Sequence, residues 1–140
     1  MSQLRIETSS PEETEAAGAE LASRLSPGDV VLVSGELGAG KTTFVRGACR
    51  ALGVTGVVTS PTYTIGQVYD AGEGREVAHL DLYRLRSLEG EDSALLDDYL
   101  TPDRIGFVEW PAVGEAGIER PAARVRIDHA GGDRRVLEIA

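Results

Sequence analysis

The chain has 140 residues, with 14 Lys and Arg against 23 Asp and Glu, and a formal net charge of −9 at pH 7. This length suits one domain, residues 1–140, and the acidity argues against direct binding to nucleic-acid phosphates. No basic region followed by an apolar stretch opens the chain, and no window is long enough to span a bilayer. We therefore expect a cytoplasmic protein without a membrane segment.

The chain begins with an element pattern of strand, helix and strand. Residues 4–7 alternate between apolar and charged and predict an edge strand. Ser10 is placed as a helix N-cap, with Pro11 at the first helical position and Glu13 reaching back. The turn at residues 26–29 then leads into residues 30–34, a short apolar run that predicts a buried strand.

A glycine-rich loop follows this strand directly. Residues 35–42 read GELGAGKT and fit the P-loop pattern G-x-x-x-x-G-K-T, and the apolar spacing after them predicts a helix that stops at Gly53. Strand, loop and helix in this order make a phosphate cradle. Lys41 supplies a charge for the β- and γ-phosphates, and the Thr42 hydroxyl is a candidate ligand for Mg²⁺. Nucleotide-binding candidates in this segment are Glu36, Leu37, Gly38, Ala39, Gly40, Lys41, Thr42 and Thr43.

The rest of the chain mixes strands with hairpins. Cys49 falls in the apolar pattern of the helix and is expected to be a core residue. Further strands are predicted at residues 56–59, 63–69, 76–83, 105–110, 125–129 and 135–139, and a short acidic helix begins near Gly90. Turn residues at 70–74 and 130–133 predict two hairpins. The fold class is therefore α/β, a P-loop domain with a mixed sheet that is parallel at its centre, carries antiparallel hairpins and is flanked by helices.

A P-loop also needs an acidic residue that anchors the metal or orients water, and two positions compete. Glu109 closes an apolar strand, as a Walker B residue does. Asp81 lies in an alternating run in which His79 and Asp81 share one face and Leu80 lies on the other. His79 alone is expected to be a packing or capping residue. Thr62, in the segment SPT, could face the metal as a GTPase switch does, although an ordinary proline turn fits slightly better.

The four motifs together carry more information than any one of them. GELGAGKTT, SPTY, HLDLYR and VEWP begin at residues 35, 60, 79 and 108, and in this order and spacing they closely resemble the TsaE family (also called YjeE), small bacterial P-loop ATPases. The resemblance implies a role in making threonylcarbamoyladenosine (t6A) at position 37 of tRNA. It also implies that the partner is the TsaB–TsaD protein complex, that tRNA is handled only indirectly, and that ATP hydrolysis permits repeated turnover.

The same resemblance implies roles for single residues. Lys41 and Thr42 bind phosphate and Mg²⁺, with Thr43 beside them, and Thr62 is the switch-like threonine. Asp81 and Glu109 are the two acidic active-site positions. Glu109 is assigned to the metal side and Asp81 to a second metal contact or to the attacking water, although the two roles could be exchanged. Trp110 lies near the nucleotide.

Three alternatives remain open at this point. The first alternative is a GTPase. The chain lacks the N-K-x-D segment with which GTPases recognise guanine, which favours adenine as the bound base. A small-molecule P-loop kinase would need an arginine-bearing lid; Arg84 and Arg86 are present, but the acidic helix that follows argues against one. A nucleotide-gated binding module, in which hydrolysis is incidental, is the non-enzymatic alternative.

Overall fold

A computed structural model describes residues 3–36, 40–59, 66–82, 96–109, 118 and 120–140. In chain order its elements are β1 (Leu4–Thr8), α1 (Pro11–Ala22), β2 (Val30–Gly35), α2 (Lys41–Ala51), β3 (Gly66–Asp70), β4 (Glu76–Asp81), β5 (Arg104–Glu109), β6 (Ala123–His129) and β7 (Arg135–Ile139). Within the described residues the strands form a seven-stranded sheet in the order β1-β7-β6-β2-β5-β4-β3.

The sheet is parallel at its centre and antiparallel at both edges. Strand β2 pairs in parallel with β5 and β6, and β4 pairs in parallel with β5. The pairs β1–β7, β6–β7 and β3–β4 are antiparallel. The predicted α/β class, both hairpins and the edge position of β1 are thus confirmed. Because the central strands are parallel, their carboxyl ends meet at one edge, and ligand sites of such sheets lie there.

Both faces of the central strands are buried. On one face, α1 and α2 pack over Val31, Val33 and Phe107. On the other face, Leu32 and Val108 pack with Leu96, which belongs to a helical turn at residues 96–99. The start predicted for that helix, near Gly90, lies outside the described residues. Covering both faces explains why β2 and β5 read as continuous apolar runs.

The two helices cross at very short range. A Cβ atom added to Gly18 of α1 would lie 2.1 Å from the carbonyl oxygen of Phe44, and one added to Gly47 of α2 would lie 2.0 Å from that of Glu15. Side chains at these positions would force the backbones apart. The contact holds α1 against the first turns of α2, the helix that follows the glycine-rich loop.

The start of α1 follows the predicted capping pattern with one difference. Pro11 is the first helical residue, and the Ser10 hydroxyl accepts a hydrogen bond from the Glu13 N–H at 3.2 Å. The Glu13 carboxylate reaches back to the N–H of Ser9 at 2.9 Å, one residue earlier than in a capping box. Two donors at the helix start are nevertheless satisfied.

The strand predicted at residues 56–59 is wrong. The segment pairs with no strand in the described structure; Val58 is buried, but Val57 is 78% exposed. Two of its carbonyl groups are instead satisfied by side chains: Arg46 Nε donates to the Val58 oxygen and the Tyr69 hydroxyl donates to the Thr59 oxygen, each at 3.3 Å. Side-chain donors thus take the place of a strand partner.

Two further expectations concern the burial of Cys49 and the lack of a membrane-spanning segment. Cys49 is a free, buried thiol in α2, as expected, and burial raises its pKa to about 12. None of the described helices is long and apolar enough to cross a membrane.

Candidate functional site

The glycine-rich loop connects β2 to α2, and two of its glycines are required by geometry. Gly35 has a φ of 142°, and a Cβ atom there would lie 2.0 Å from the carbonyl oxygen of Ile127 in the adjacent strand β6. Gly40 forms the N-cap of α2 with a φ of 101°, in the left-handed region. Side chains are disfavoured at both positions. The loop therefore turns sharply from a central strand into a helix N-terminus, which attracts anions.

Lys41 lies at the start of α2 with its ammonium folded toward the loop. Its Nζ donates to the carbonyl oxygens of Gly35 at 2.9 Å and Glu36 at 2.8 Å, and the residue is only 4% exposed. Burial lowers the pKa of Lys41, and the negative charges of Glu109, Asp81 and Glu36 oppose that shift, in decreasing order. The surrounding carboxylates therefore favour a charged ammonium inside the candidate site.

Thr42 and the two candidate acids come together beside Lys41. The Thr42 hydroxyl lies 3.2 Å from Oε1 and 3.1 Å from Oε2 of Glu109, and donates to that carboxylate. Asp81 stands opposite Glu109 in the register of β4 and β5, so both acids end neighbouring parallel strands. Glu109 is buried, whereas Asp81 is partly exposed. The structure thus brings together all four residues on which the sequence-based hypothesis depended.

A buried polar chain behind Glu109 was missed as a unit by sequence reasoning. His79 is completely buried; its Nε2 contacts Glu109 Oε2, and its Nδ1 lies 2.9 Å from the Tyr69 hydroxyl. The strand alternation already put His79 on the same face as Asp81, which was the available signal. Tyr69 gave none beyond its place in the predicted hairpin. Burial raises the pKa of Tyr69 to about 12, so its hydroxyl keeps its proton at neutral pH.

Sequence reasoning also missed a small cleft between the first turns of α1 and α2 and the β6–β7 hairpin. It is lined by Pro11, Thr14, Gly40, Thr43, Asp133 and Arg135. The Arg135 guanidinium is held by the carbonyl oxygens of Gly132 at 2.6 Å and Arg134 at 2.8 Å. The first turns of α1 and α2 thus adjoin the β6–β7 hairpin next to the glycine-rich loop.

Comparison with known proteins gives this geometry a family context. The sequence model for "Threonylcarbamoyl adenosine biosynthesis protein TsaE" matches residues 8–137. The chain belongs to the TsaE family. A Bacillus subtilis relative named "tRNA threonylcarbamoyladenosine biosynthesis protein TsaE" is 40% identical over 137 residues, covering 98% of this chain and 85% of that protein. A Streptomyces coelicolor relative of the same name is 45% identical over 120 residues, covering 83% and 79%.

A solved TsaE-like structure supports the fold as well. The chain is similar to the crystal structure of Bacillus subtilis YdiB, with a TM-score of 0.80 and 34% sequence identity, over 99% of this chain and 84% of that one. The resemblance to the TsaE family and the predicted P-loop fold are thereby confirmed. Membership in TsaE also assigns the chain to t6A biosynthesis.

Several residues predicted from the TsaE motifs lie outside the described part of the chain. They are Leu37, Gly38, Ala39, Thr62 and Trp110. Among the described residues, no group of three or more His, Cys, Asp or Glu side chains forms a metal cage. That finding is compatible with a nucleotide-bound Mg²⁺ ion, which typically takes one or two carboxylates, with phosphates and water filling its other positions.

Proposed function

We propose that this TsaE protein is a Mg²⁺-dependent ATPase that acts on the TsaB–TsaD complex and permits repeated rounds of t6A formation at A37 of tRNA. The observation that carries the proposal is the contact between the Thr42 hydroxyl and the Glu109 carboxylate, with the Lys41 ammonium beside them. P-loop NTPases bring a loop threonine and a strand-end acid together in this way, where both serve the metal.

Lys41 and the N-terminus of α2 would bind the β- and γ-phosphates of ATP. The Lys41 donors now go to the carbonyl oxygens of Gly35 and Glu36, so phosphate oxygens would replace acceptors that are already at hydrogen-bond distance. Glu36, Leu37, Gly38, Ala39, Gly40 and Thr43 complete the proposed phosphate-binding segment. The small cleft beside Gly40 and Thr43 adjoins this segment. Trp110 is proposed to lie near the base of the nucleotide.

The described residues fit a Mg²⁺ ion chemically. Thr42, Glu109 and Asp81 offer only oxygen atoms, the ligands that Mg²⁺ prefers. When bound, the ion would neutralise charge on the phosphates. His79 contacts Oε2 of Glu109, and the Thr42 hydroxyl lies within 3.2 Å of both carboxylate oxygens. Thr62, from the SPT segment, is proposed as a further contact to the nucleotide.

The proposed reaction is hydrolysis of the terminal phosphate. A water oxygen bonds to the γ-phosphorus, the bond from that phosphorus to the bridging oxygen breaks, and ADP and inorganic phosphate leave. Asp81 is the better placed of the two acids for orienting the water, because it is partly exposed while Glu109 is buried. Glu109 would then contact the Thr42 hydroxyl and the metal ion.

ATP binding at the same site is proposed to control partner binding by shifting the population of two conformations. ATP contacts would favour the conformation that binds TsaB–TsaD, and hydrolysis would release it. The net charge of −9 supports a protein partner, with tRNA contacted only indirectly.

Nucleotide titration and phosphate release test the enzymatic part. Wild-type protein should bind ATP in preference to GTP and release phosphate in a Mg²⁺-dependent manner. Lys41→Ala should bind ATP about 10- to 100-fold more weakly, since a charge-assisted hydrogen bond contributes roughly 1.5–3 kcal/mol. Arg50→Ala is the matched control, because this cation is exposed in the last turn of the same helix.

A second pair of variants tests the acids. Glu109→Gln should abolish most phosphate release, whereas Glu7→Gln, an exposed carboxylate on β1, should leave it unchanged. Wild-type turnover in Glu109→Gln would contradict the proposal. Transfer of phosphate to a metabolite in place of water would favour a kinase.

A further inference from the structure

The most unusual feature of the sheet is a line of polar side chains inside its apolar core. Tyr69, His79 and Glu109 come from the three neighbouring strands β3, β4 and β5 and are 8%, 0% and 2% exposed. The Tyr69 hydroxyl meets Nδ1 of His79, and Nε2 of His79 meets Oε2 of Glu109. Both ring nitrogens are therefore used, and no described buried side-chain nitrogen or oxygen lacks a partner.

Strand register explains why these side chains meet. His79 and Asp81 are two residues apart on β4, and Asp81 stands opposite Glu109 on β5. On the other side, Tyr69 stands opposite Val77, two residues before His79. All of these side chains point to the face that α1 and α2 cover, so the polar chain runs diagonally across three strands and ends at Thr42 in the first turn of α2.

Stability alone does not account for this arrangement. Replacing a buried ionic pair by apolar side chains of similar volume is often neutral or stabilising, so such a pair is weak evidence for a purely stabilising role. The neighbouring face positions Val77 and Phe107 are apolar and fully compatible with the core. The polar chain ends on the Glu109 carboxylate, which contacts Thr42, and this indicates a role at the candidate site.

We propose that His79 is a positioning residue that fixes the Glu109 carboxylate against Thr42, and that Tyr69 fixes the ring of His79. This inference rests on the proposed ATPase function. A glutamate side chain has several rotatable bonds, and the contact of His79 with Oε2 fixes the carboxylate against Thr42 before nucleotide binds. Tyr69 is itself anchored by its hydrogen bond to the carbonyl oxygen of Thr59. The expected effect is on the rate of hydrolysis more than on nucleotide affinity.

Two amide substitutions separate the contacts of the two ring nitrogens. Gln at position 79 places an amide near the position of Nε2 and can still contact Glu109, whereas Asn places one near Nδ1 and can contact only Tyr69. His79→Asn should lower kcat about 10- to 100-fold, the usual loss when a group that orients a ligand residue is removed. The Kd for ATP should change less than about threefold, since Lys41 and the loop are untouched.

Rescue and control variants complete the kinetic test. His79→Gln should recover a large part of kcat, and Tyr69→Phe, which keeps the ring and removes only the hydroxyl, should lower kcat less than His79→Asn. His129→Asn is the matched control, because the chain's other histidine is exposed at the end of β6. If His79 only supported folding, its substitution would lower thermal stability, and kcat would not differ between His79→Asn and His79→Gln in this way.

NMR of the nucleotide-free protein gives a readout independent of turnover. With two histidines in the chain, the ring ¹⁵N and ¹H signals of His79 are assigned by comparison with His129→Asn. Glu109→Gln and Tyr69→Phe should each shift the His79 signals and leave those of His129 in place.

The outcomes separate the two proposals. A wild-type protein that neither binds nor hydrolyses ATP overturns the proposed function. If the wild type is active but His79→Asn and Tyr69→Phe keep full kcat, the positioning role alone is overturned. The same holds if the NMR signals of His79 do not shift in Glu109→Gln.

Discussion

Alanine at Gly18 tests how closely α1 and α2 approach each other. The added Cβ atom would lie 2.1 Å from the carbonyl oxygen of Phe44, whereas real Cβ contacts essentially never fall under 3.0 Å. The helices must therefore separate by about 1 Å, because the obstacle is backbone and cannot rotate away. Overpacking costs about 1–3 kcal/mol, and replacing a helical glycine by alanine recovers about 1 kcal/mol. With the steric cost at its upper end, we expect a net loss of about 2 kcal/mol in the free energy of unfolding.

Urea unfolding followed by circular dichroism measures this loss. The midpoint should fall at an unchanged m value, and the melting temperature should drop by roughly 4–8 °C. Gly56→Ala is the control, because its Cβ atom would have nothing within 4 Å and its φ is not positive. That variant should be unchanged or slightly more stable. Equal stability of Gly18→Ala and wild type would refute the reasoning about the helix contact.

Three further substitutions test other parts of the fold. Because the folded thiol of Cys49 has a pKa raised to about 12, it keeps a proton that the unfolded thiol loses. Wild-type stability should therefore fall between about pH 9 and 11 more steeply than that of Cys49→Ala, by up to about 1.4 kcal/mol per pH unit; equal slopes in urea unfolding would contradict this. Gly35→Ala would meet the Ile127 oxygen at 2.0 Å with a φ of 142°, and should lose more than about 2 kcal/mol in a thermal melt. Ser10→Ala removes the cap on the Glu13 N–H and should cost about 1 kcal/mol, while Ser9→Ala, whose N–H remains, should cost less.

Much of the fold could be predicted because local patterns and tertiary structure agree. The strand at residues 30–34, the loop glycines and the helix beginning at Lys41 are each specified by nearby residues, and both hairpins follow from turn residues between extended runs. The parallel centre followed from the order of βα units. In each case the residues that determine the element lie within the element or next to it.

The failures arise where distant side chains decide the structure. Residues 56–59 have strand-like composition, but Arg46 and the Tyr69 hydroxyl take the carbonyl groups of Val58 and Thr59. No local pattern predicts those donors.

The candidate site shows the same division. Lys41, Thr42, Asp81 and Glu109 were predicted from motifs, and the structure places each of them at or next to the end of an element. The connection of His79 to Tyr69 and Glu109 depends on the sheet order β5-β4-β3, which sequence reasoning left open. Alternation predicted the face of His79 correctly, yet a buried histidine on a strand is more often a packing residue than part of a site.

The number of t6A products formed per TsaB–TsaD complex tests the central proposal most directly. The reaction would contain the TsaB–TsaD complex, tRNA, ATP, Mg²⁺ and an activated threonylcarbamoyl donor, with wild-type protein, Lys41→Ala or Arg50→Ala added. We predict many products per complex with wild type and Arg50→Ala, and no more than about one with Lys41→Ala, because the proposed resetting of the complex depends on hydrolysis at this site. Repeated turnover with Lys41→Ala at the wild-type rate would contradict the account.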